Sequence, residues 1–351
     1  MNTLIIPCAG RSSRFPNMRP KYLLTHPDGK LMVQKAIEAM DFEMFDQVVI
    51  VIVKFHCEIY EADLILNQAF AGSRKIRICI LDDFTSCAAE TIYQTINKLN
   101  ITGSITIKDS DNKVEYPGMG DRDNFVVGKR LSLNDKMSNI PAKSFIRINS
   151  DHLLLDIIEK KIVSDIVCLG VYGFKDVNIF TTAYQKLLKK NVRGEIYISH
   201  VLSYILKEGR EPFFFKECTH YEDWGTLEEW KVTQNKCATY FVDFDGVLIK
   251  NSGRFGRINW NNNFEMIESN CAILRERQLE GAQIIITTSR PEEYRRVIEK
   301  LLDKVGLRPF AILMGLNHAP RFLINDFAPS NPYPTAMGIS IPRNGKLNDY
   351  L

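Results

Sequence analysis

The stretch LIIPCAGRSSRFPNMRPKYLL, from Leu4 to Leu24, decides the fold. Leu4 to Pro7 is a short apolar strand that runs straight into a Gly/Ser/Arg loop. Leu31 to Met40 then carries helical spacing, and QVVIVIVK (Gln47 to Lys54) is a continuous β-branched run of the kind that forms a buried parallel strand. Ile76 to Leu81 repeats that pattern, Ala88 to Leu99 reads as a helix, and Ile105 to Lys108 as a strand ending at Asp109. Alternating strand and helix predicts a doubly wound α/β sheet. Such sheets bind ligands at the carboxyl ends of their strands, so the Gly10 loop and the Asp109–Asp111 turn are where a site should lie.

Asn112 to Ser144 is polar and irregular with two short strand-like runs, and reads as an excursion that helps close a substrate pocket. Ile166 to Phe174 is a strand; Thr181 to Lys190 and Ile196 to Lys207 are helices. The polar KVTQNK (Lys231 to Lys236) precedes a new strand at Thr239 to Val242, which places a domain boundary there and gives domains 1–235 and 238–351. The second domain continues with a helix from Phe264 to Glu280, strand Gln283 to Thr287, helix Glu292 to Val305, and strands Phe310 to Met314 and Arg321 to Ile324. This predicts a second, smaller Rossmann-like parallel sheet, in a domain of roughly 110 residues that can hold its own core.

Bulk properties fit that outline. A chain of 351 residues favours two domains, and 45% hydrophobic with 25% charged residues is an ordinary globular composition. A net charge of +3 is too mild for the dense basic face that a nucleic-acid partner requires. The eight cysteines form no CxxC pair and several sit in apolar runs, so reduced thiols are expected rather than disulfides or zinc. Leu4–Gly10 is too short for a signal h-region and no apolar run could span a bilayer. A cytoplasmic protein without membrane attachment is expected.

A triphosphate is held by backbone N–H groups and a few fixed cations. The turn after Leu4–Pro7 can supply the first, and Arg11, Arg14, Arg19 and Lys21 the second, with Pro20 stiffening the chain before Lys21. The bland alternative is a strand–helix loop with solvated basic residues.

The wider pattern is more specific. Gly10-x-Ser12-Ser13-Arg14 followed by Pro20-Lys21 resembles the pyrophosphorylase signature of sugar-phosphate nucleotidyltransferases, with Ser12 where that family has Gly. The resemblance covers about residues 1–235 and implies a GT-A-like doubly wound mixed sheet. It places Ala9, Gly10, Arg11, Ser12 and Ser13 at the nucleotide, with TSCAAETIY (Thr85 to Tyr93), including Ala88, approaching the base. Glu159 and Lys160 of IIEKK fall on the sugar phosphate, Gly170 of LGVYGF at the sugar, and Glu195 of GEIYIS on a sugar hydroxyl. Asp223 of YEDWGT matches one metal ligand; Asp109 or Asp111 of IKDSDN matches the other, and the motif does not choose between them. The implied reaction is Mg²⁺-dependent attack of a sugar or polyol phosphate on the α-phosphorus of an NTP, with Arg14 and Lys21 acting on the leaving pyrophosphate. The compact signature resembles small cytidylyltransferases, so CTP is favoured among the NTPs. Many relatives are dimers or tetramers, and a homo-oligomer is expected.

FVDFDGVLIK (Phe241 to Lys250) puts two carboxylates at the end of a strand. With TTSR at Thr288 and Ser289, and Asn325-Asp326 after another strand, it resembles the motifs of haloacid dehalogenase-like phosphatases over about residues 238–351. The resemblance makes Asp243 the nucleophile that forms an aspartyl-phosphate, Asp245 the acid/base, and Thr288 and Ser289 phosphate contacts. Asp243, Asp245 and Asp326 would hold Mg²⁺. Arg321 stands where the family has a Lys, and the two are not equivalent. His318 is a weaker cation candidate, more readily a loop residue. Neither motif interval has room for a large cap, so a phosphorylated small molecule would be covered by a neighbouring domain, another subunit, or a flap at Asn251 to Trp260; Trp260 itself reads first as a packing residue. The expected protein is bifunctional: a nucleotidyltransferase and a phosphatase acting on compounds phosphorylated at two positions, as in bacterial surface-polysaccharide synthesis. Its rivals are a transferase with an idle C-terminal binding or oligomerisation module, and a non-catalytic sensor of nucleotide sugars.

Overall fold

The computed structural model of the protein describes residues 1–132, 137, 139–190, 194–209, 211–254, 260, 264–328 and 335–351. The chain divides into two compact units, Met1–Trp230 and Lys231–Leu351.

The first unit begins β1 (Asn2–Pro7), α1 (Met32–Glu38), β2 (Gln47–Val53), α2 (Lys54–Tyr60), α3 (Ala62–Ala69), β3 (Ile76–Leu81), α4 (Ala88–Leu99) and β4 (Ser104–Lys108). It continues β5 (Asn112–Glu115), β6 (Phe125–Arg130), β7 (Phe145–Ile148), β8 (Leu154–Ile158), β9 (Ile166–Phe174), α5 (Val177–Lys189), α6 (Ile198–Glu208), β10 (Phe214–Glu217) and β11 (His220–Asp223). One mixed sheet runs β10-β6-β9-β4-β1-β2-β3, with β7 on β9 and β8 on β7. The half β4-β1-β2-β3 is parallel, while β9 is antiparallel to both β4 and β6.

Sequence pattern explains the parallel half. Val48 to Val53 are all fully buried, because helices cover both faces of a parallel sheet and no side of the strand meets water. At about 1.5–3 kcal/mol per buried aliphatic side chain, this strand is a main source of the unit's stability. The antiparallel half was only partly legible. β6 lies inside the sheet between β9 and β10, not in a peripheral excursion as its polar flanks had suggested.

α7 (Leu227–Lys236) carries the chain from the first unit to the second, so the polar KVTQNK is helical rather than an open linker. The second unit contains β12 (Thr239–Asp243), α8 (Glu268–Glu280), β13 (Gln283–Thr287), α9 (Arg295–Lys304) and β14 (Ala311–Leu313). They form a three-stranded parallel sheet, β12-β13-β14. The strand expected at Arg321 to Ile324 does not form. Phe322 and Ile324 are 86% and 92% exposed, and among the described residues β12 pairs with β13 alone. The apolar run had suggested a strand, but a run pairs only where its backbone groups find a partner ladder. None of the eight cysteines is in a disulfide.

Gly173 in β9 tests the packing of the antiparallel half. A Cβ there would collide with the ring of Phe125, which is itself fully buried. Gly173→Ala is expected to lower stability by roughly 1–3 kcal/mol through overpacking, read from the urea midpoint.

Candidate functional site

The first site assembles at the carboxyl ends of β1 and β4. After β1, the Ala9 carbonyl accepts from Thr85 N at 3.4 Å, which brings the segment before α4 to the loop. Ser12 sits at φ 50°, the left-handed conformation that glycine adopts freely, which accounts for the Gly expected at that position. Its Oγ accepts from Lys21 N at 3.3 Å, closing the loop on the lysine it was expected to aim. The Lys21 ammonium pairs with Asp111 Oδ2 at 2.5 Å. Ser13 and Arg14 are exposed, and Arg11 lies over the Phe84 ring at 4.6 Å.

The turn after β4 separates its two acids. Asp109 N donates to Gly170 O at 3.0 Å, and the Asp109 carboxyl lies directly against Gly170, where no side chain could fit. Asp111 instead faces Asp223. A Cβ on Gly225 would stand 3.2 Å from Asp111 Oδ2, 3.1 Å from Asp223 Oδ1 and 3.7 Å from an Arg14 guanidinium nitrogen. The missing side chain of Gly225 thus leaves a cradle walled by two carboxylates and one cation. Burial and the neighbouring Asp111 charge push the Asp109 carboxyl up. Asp111 resists its own burial because Lys21 and then Arg14 favour its anion, which holds it down.

The donor set suits Mg²⁺, which takes one or two carboxylates and completes its shell with water and phosphate oxygens. Among the described residues no group of three or more acids, histidines or cysteines converges closely enough to hold a metal unaided. Lys143, which no motif had flagged, pairs with Asp223 Oδ2. Asp223 also accepts from Tyr221 OH at 2.8 Å and Gly225 N at 3.0 Å.

The residues expected around the acceptor form two linked groups. Glu159 accepts from Ser144 Oγ, and from Ser199 Oγ at 2.6 Å. Lys160, at φ 51°, donates to Tyr197 OH at 2.5 Å and lies 4.3 Å over that ring, and Tyr197 is also hydrogen-bonded to Glu195. Tyr197 was missed by sequence reasoning. Beside them a cavity of about 440 Å³ is lined by Ser86, Cys87 and Glu90 from the expected base segment, and by Gly194 and Ile196, which flank Glu195. Ala88 begins α4 at its edge.

In the second unit, Asp243 ends β12, and Phe244 N donates to Thr287 O at 2.9 Å. Thr288 is fully buried and donates to Asp245 Oδ2 at 3.1 Å. The unexpected partner is Arg290, 1% exposed, whose Nε and a terminal nitrogen grip both oxygens of Asp245 at 2.6–3.1 Å. Arg290 also donates to Trp260 O at 3.0 Å and stacks within 6 Å of Phe244, Phe264 and Tyr294. A charged residue two places after a motif threonine at the end of an apolar strand was the signal available for it.

Desolvation at the crowded strand end, then the Asp245 charge, raises the Asp243 carboxyl to about 6, with Arg321 and His318 opposing. Arg321 donates to the carbonyls of Asn317 and Ala319, and to Ser289 Oγ at 3.5 Å. Asp326 follows the run that forms no strand; its carbonyl accepts from Thr335 Oγ at 2.8 Å, and Asn325 Nδ2 donates to the same hydroxyl at 2.8 Å. Half of the expected flap at 251–260, residues 255–259, lies outside the described residues; Trp260 packs on Tyr294 with ring centres 6.0 Å apart. No described helix is long and apolar enough to cross a membrane.

No family model matches the chain, and no curated protein does. Solved structures do. A nucleoside-diphosphate-sugar pyrophosphorylase of Vibrio cholerae RC9 is 20% identical, with TM-score 0.56 over 66% of this chain and 98% of that one. A UDP-glucose pyrophosphorylase complexed with UDP-glucose is 16% identical, with TM-score 0.51 over 66% and 97%. The inositol-1-phosphate CTP transferase of T. maritima is 12% identical, with TM-score 0.50 over 66% and 94%. At these identities the likeness is one of fold: the chain has the mixed α/β fold of nucleotide-sugar pyrophosphorylases, over about the share of its length that the first unit occupies.

Proposed function

We propose that the first unit transfers a nucleotidyl group from an NTP to the phosphate of a sugar or polyol phosphate and releases pyrophosphate. The convergence of Arg14, Lys21, Asp111 and Asp223 around the bare Gly225 carries this reading. An oxygen of the acceptor phosphate forms a bond to the α-phosphorus, and the bond to the β-phosphate bridging oxygen breaks, with pyrophosphate taking the electron pair. Both reactants are anions, so the work is neutralising and aligning them. Lys160, held by Tyr197, positions the attacking phosphate, while Arg14 and Lys21 favour the departing pyrophosphate. Asp111 and Asp223 would hold Mg²⁺, which when bound offsets phosphate charge. No side-chain nucleophile is required. CTP is the favoured nucleotide on the compact Gly10–Arg14 signature, and the structural likenesses include UDP-glucose and CTP enzymes alike.

For the second unit the reading is phosphomonoester hydrolysis of a related small molecule through an aspartyl-phosphate on Asp243. Asp245, Thr288 and Ser289 would serve at the phosphate, and Arg321 would face the nucleophile. One observation favours a second reading, a binding or oligomerisation module without turnover. Asp245 spends its oxygens on Arg290 and Thr288, and a group so held must break a buried ion pair to act as an acid.

Pyrophosphate and inorganic phosphate release, followed together across the four common NTPs and a panel of sugar and polyol phosphates with Mg²⁺, tests both units. Asp223→Asn is expected to cut pyrophosphate release by roughly a hundredfold or more. Inorganic phosphate release that persists in Asp243→Asn would remove the aspartyl-phosphate reading. The raised carboxyl of Asp243 keeps its proton up to pH about 6, so the nucleophilic anion is lost as pH falls through that value. Phosphate release should then decline about tenfold per pH unit on the acid side, while pyrophosphate release does not follow that profile.

A further inference from the structure

Lys143 belongs to two parts of the first site at once. Its ammonium pairs with Asp223 Oδ2, donates to Tyr221 OH at 3.1 Å and lies 5.5 Å from the centre of that ring. Its backbone belongs to the acceptor side: the Lys143 carbonyl accepts from Lys160 N at 3.2 Å, and the next residue, Ser144, donates to Glu159. Across the cradle Lys21 occupies Asp111 in the same way, at 2.5 Å. Both carboxylates that face Gly225 therefore already carry an ammonium. The Lys143 and Asp223 side chains are only 17% and 15% exposed, so solvent screens their attraction weakly.

A divalent cation and an ammonium cannot share one carboxylate at contact distance without strong repulsion. Asp223 keeps other partners if the lysine leaves, because Tyr221 OH and Gly225 N still donate to it. We infer that Lys143 is the exchangeable counter-ion of Asp223: it neutralises the carboxylate until a nucleotide-borne divalent cation takes it, and its freed ammonium then engages the acceptor phosphate beside Lys160. This rests on the nucleotidyl-transfer reading. It makes metal alone a weak ligand, since the ammonium must be expelled with no phosphate to receive it. It also couples metal-nucleotide and acceptor positively, since each favours the position of Lys143 that the other needs.

The test uses the full chain and Mn²⁺ alone, without nucleotide, its binding followed by water-proton relaxation. Lys143→Gln is expected to bind Mn²⁺ about tenfold more tightly than the unaltered protein, because a competing charge has gone. In turnover its KM for the acceptor phosphate should rise about tenfold and its KM for the NTP by less than about twofold. Lys143→Arg keeps the charge, so it should bind Mn²⁺ as weakly as the unaltered protein and recover part of the acceptor KM. Equal or weaker Mn²⁺ binding by folded Lys143→Gln would overturn the inference, as would tight binding by Lys143→Arg. If the unaltered protein releases no pyrophosphate with any NTP, the transfer reading fails, and the Mn²⁺ comparison still decides whether Lys143 is a counter-ion.

Discussion

The first unit is organised around one buried ammonium. Lys108, the last residue of β4, is fully inaccessible to solvent. A charge in that position is tolerable only if every donor is used and opposite charge is near. Its Nζ donates to Asp109 O at 2.6 Å, to Asn112 O at 2.8 Å and to Asn112 Oδ1. The turn 109–112 is therefore wrapped around the lysine rather than merely following the strand. Asn112 passes the constraint on through its Nδ2, which reaches Leu169 O in β9 at 3.1 Å. Once that turn is set, Asp109 falls against Gly170 and Asp111 is turned toward Asp223. Burial pulls the Lys108 pKa down, and the surrounding aspartates, Asp109 first, push back.

A common electrostatic device recurs in each unit. Two carboxylates stand two residues apart after a strand; a cation claims one, and the other is left with a raised affinity for its proton. In the first unit Lys21 takes Asp111 and Asp109 is raised. In the second Arg290 takes Asp245 and Asp243 is raised. Environment alone separates chemically identical groups in this way, and that separation is what allows neighbouring acids to play different parts.

Much of this was legible from sequence. The helix Ala88–Leu99 and the strands Ile166–Phe174 and Gln283–Thr287 have the bounds their patterns suggested, because each buries a continuous or strongly periodic apolar face. β6 was undervalued because its short run, FVVGKR, stands between polar loops, and only its partners β9 and β10 reveal its place inside the sheet. Asp109 and Asp111 could not be told apart by motif, since their difference lies in which glycine, Gly170 or Gly225, each one faces. Lys143 belongs to no motif, and Tyr197 lies within GEIYIS without being marked by it; both become visible only when the segment before β7 and the start of α6 are brought to Asp223 and Lys160.

The order of strands along the chain has a further consequence for biosynthesis. The parallel half β3-β2-β1-β4 is complete once Lys108 has been made, and it could collapse as it leaves the ribosome. The outer edge of β4 then stays unpaired until β9, starting at Ile166, arrives to cover it. For that interval a nascent sheet rich in valine and isoleucine presents an open ladder, the state most inclined to pair with another chain. Yield in a heterologous host should depend on translation rate across residues 109–165 and on chaperone supply more than on the stability of the finished fold.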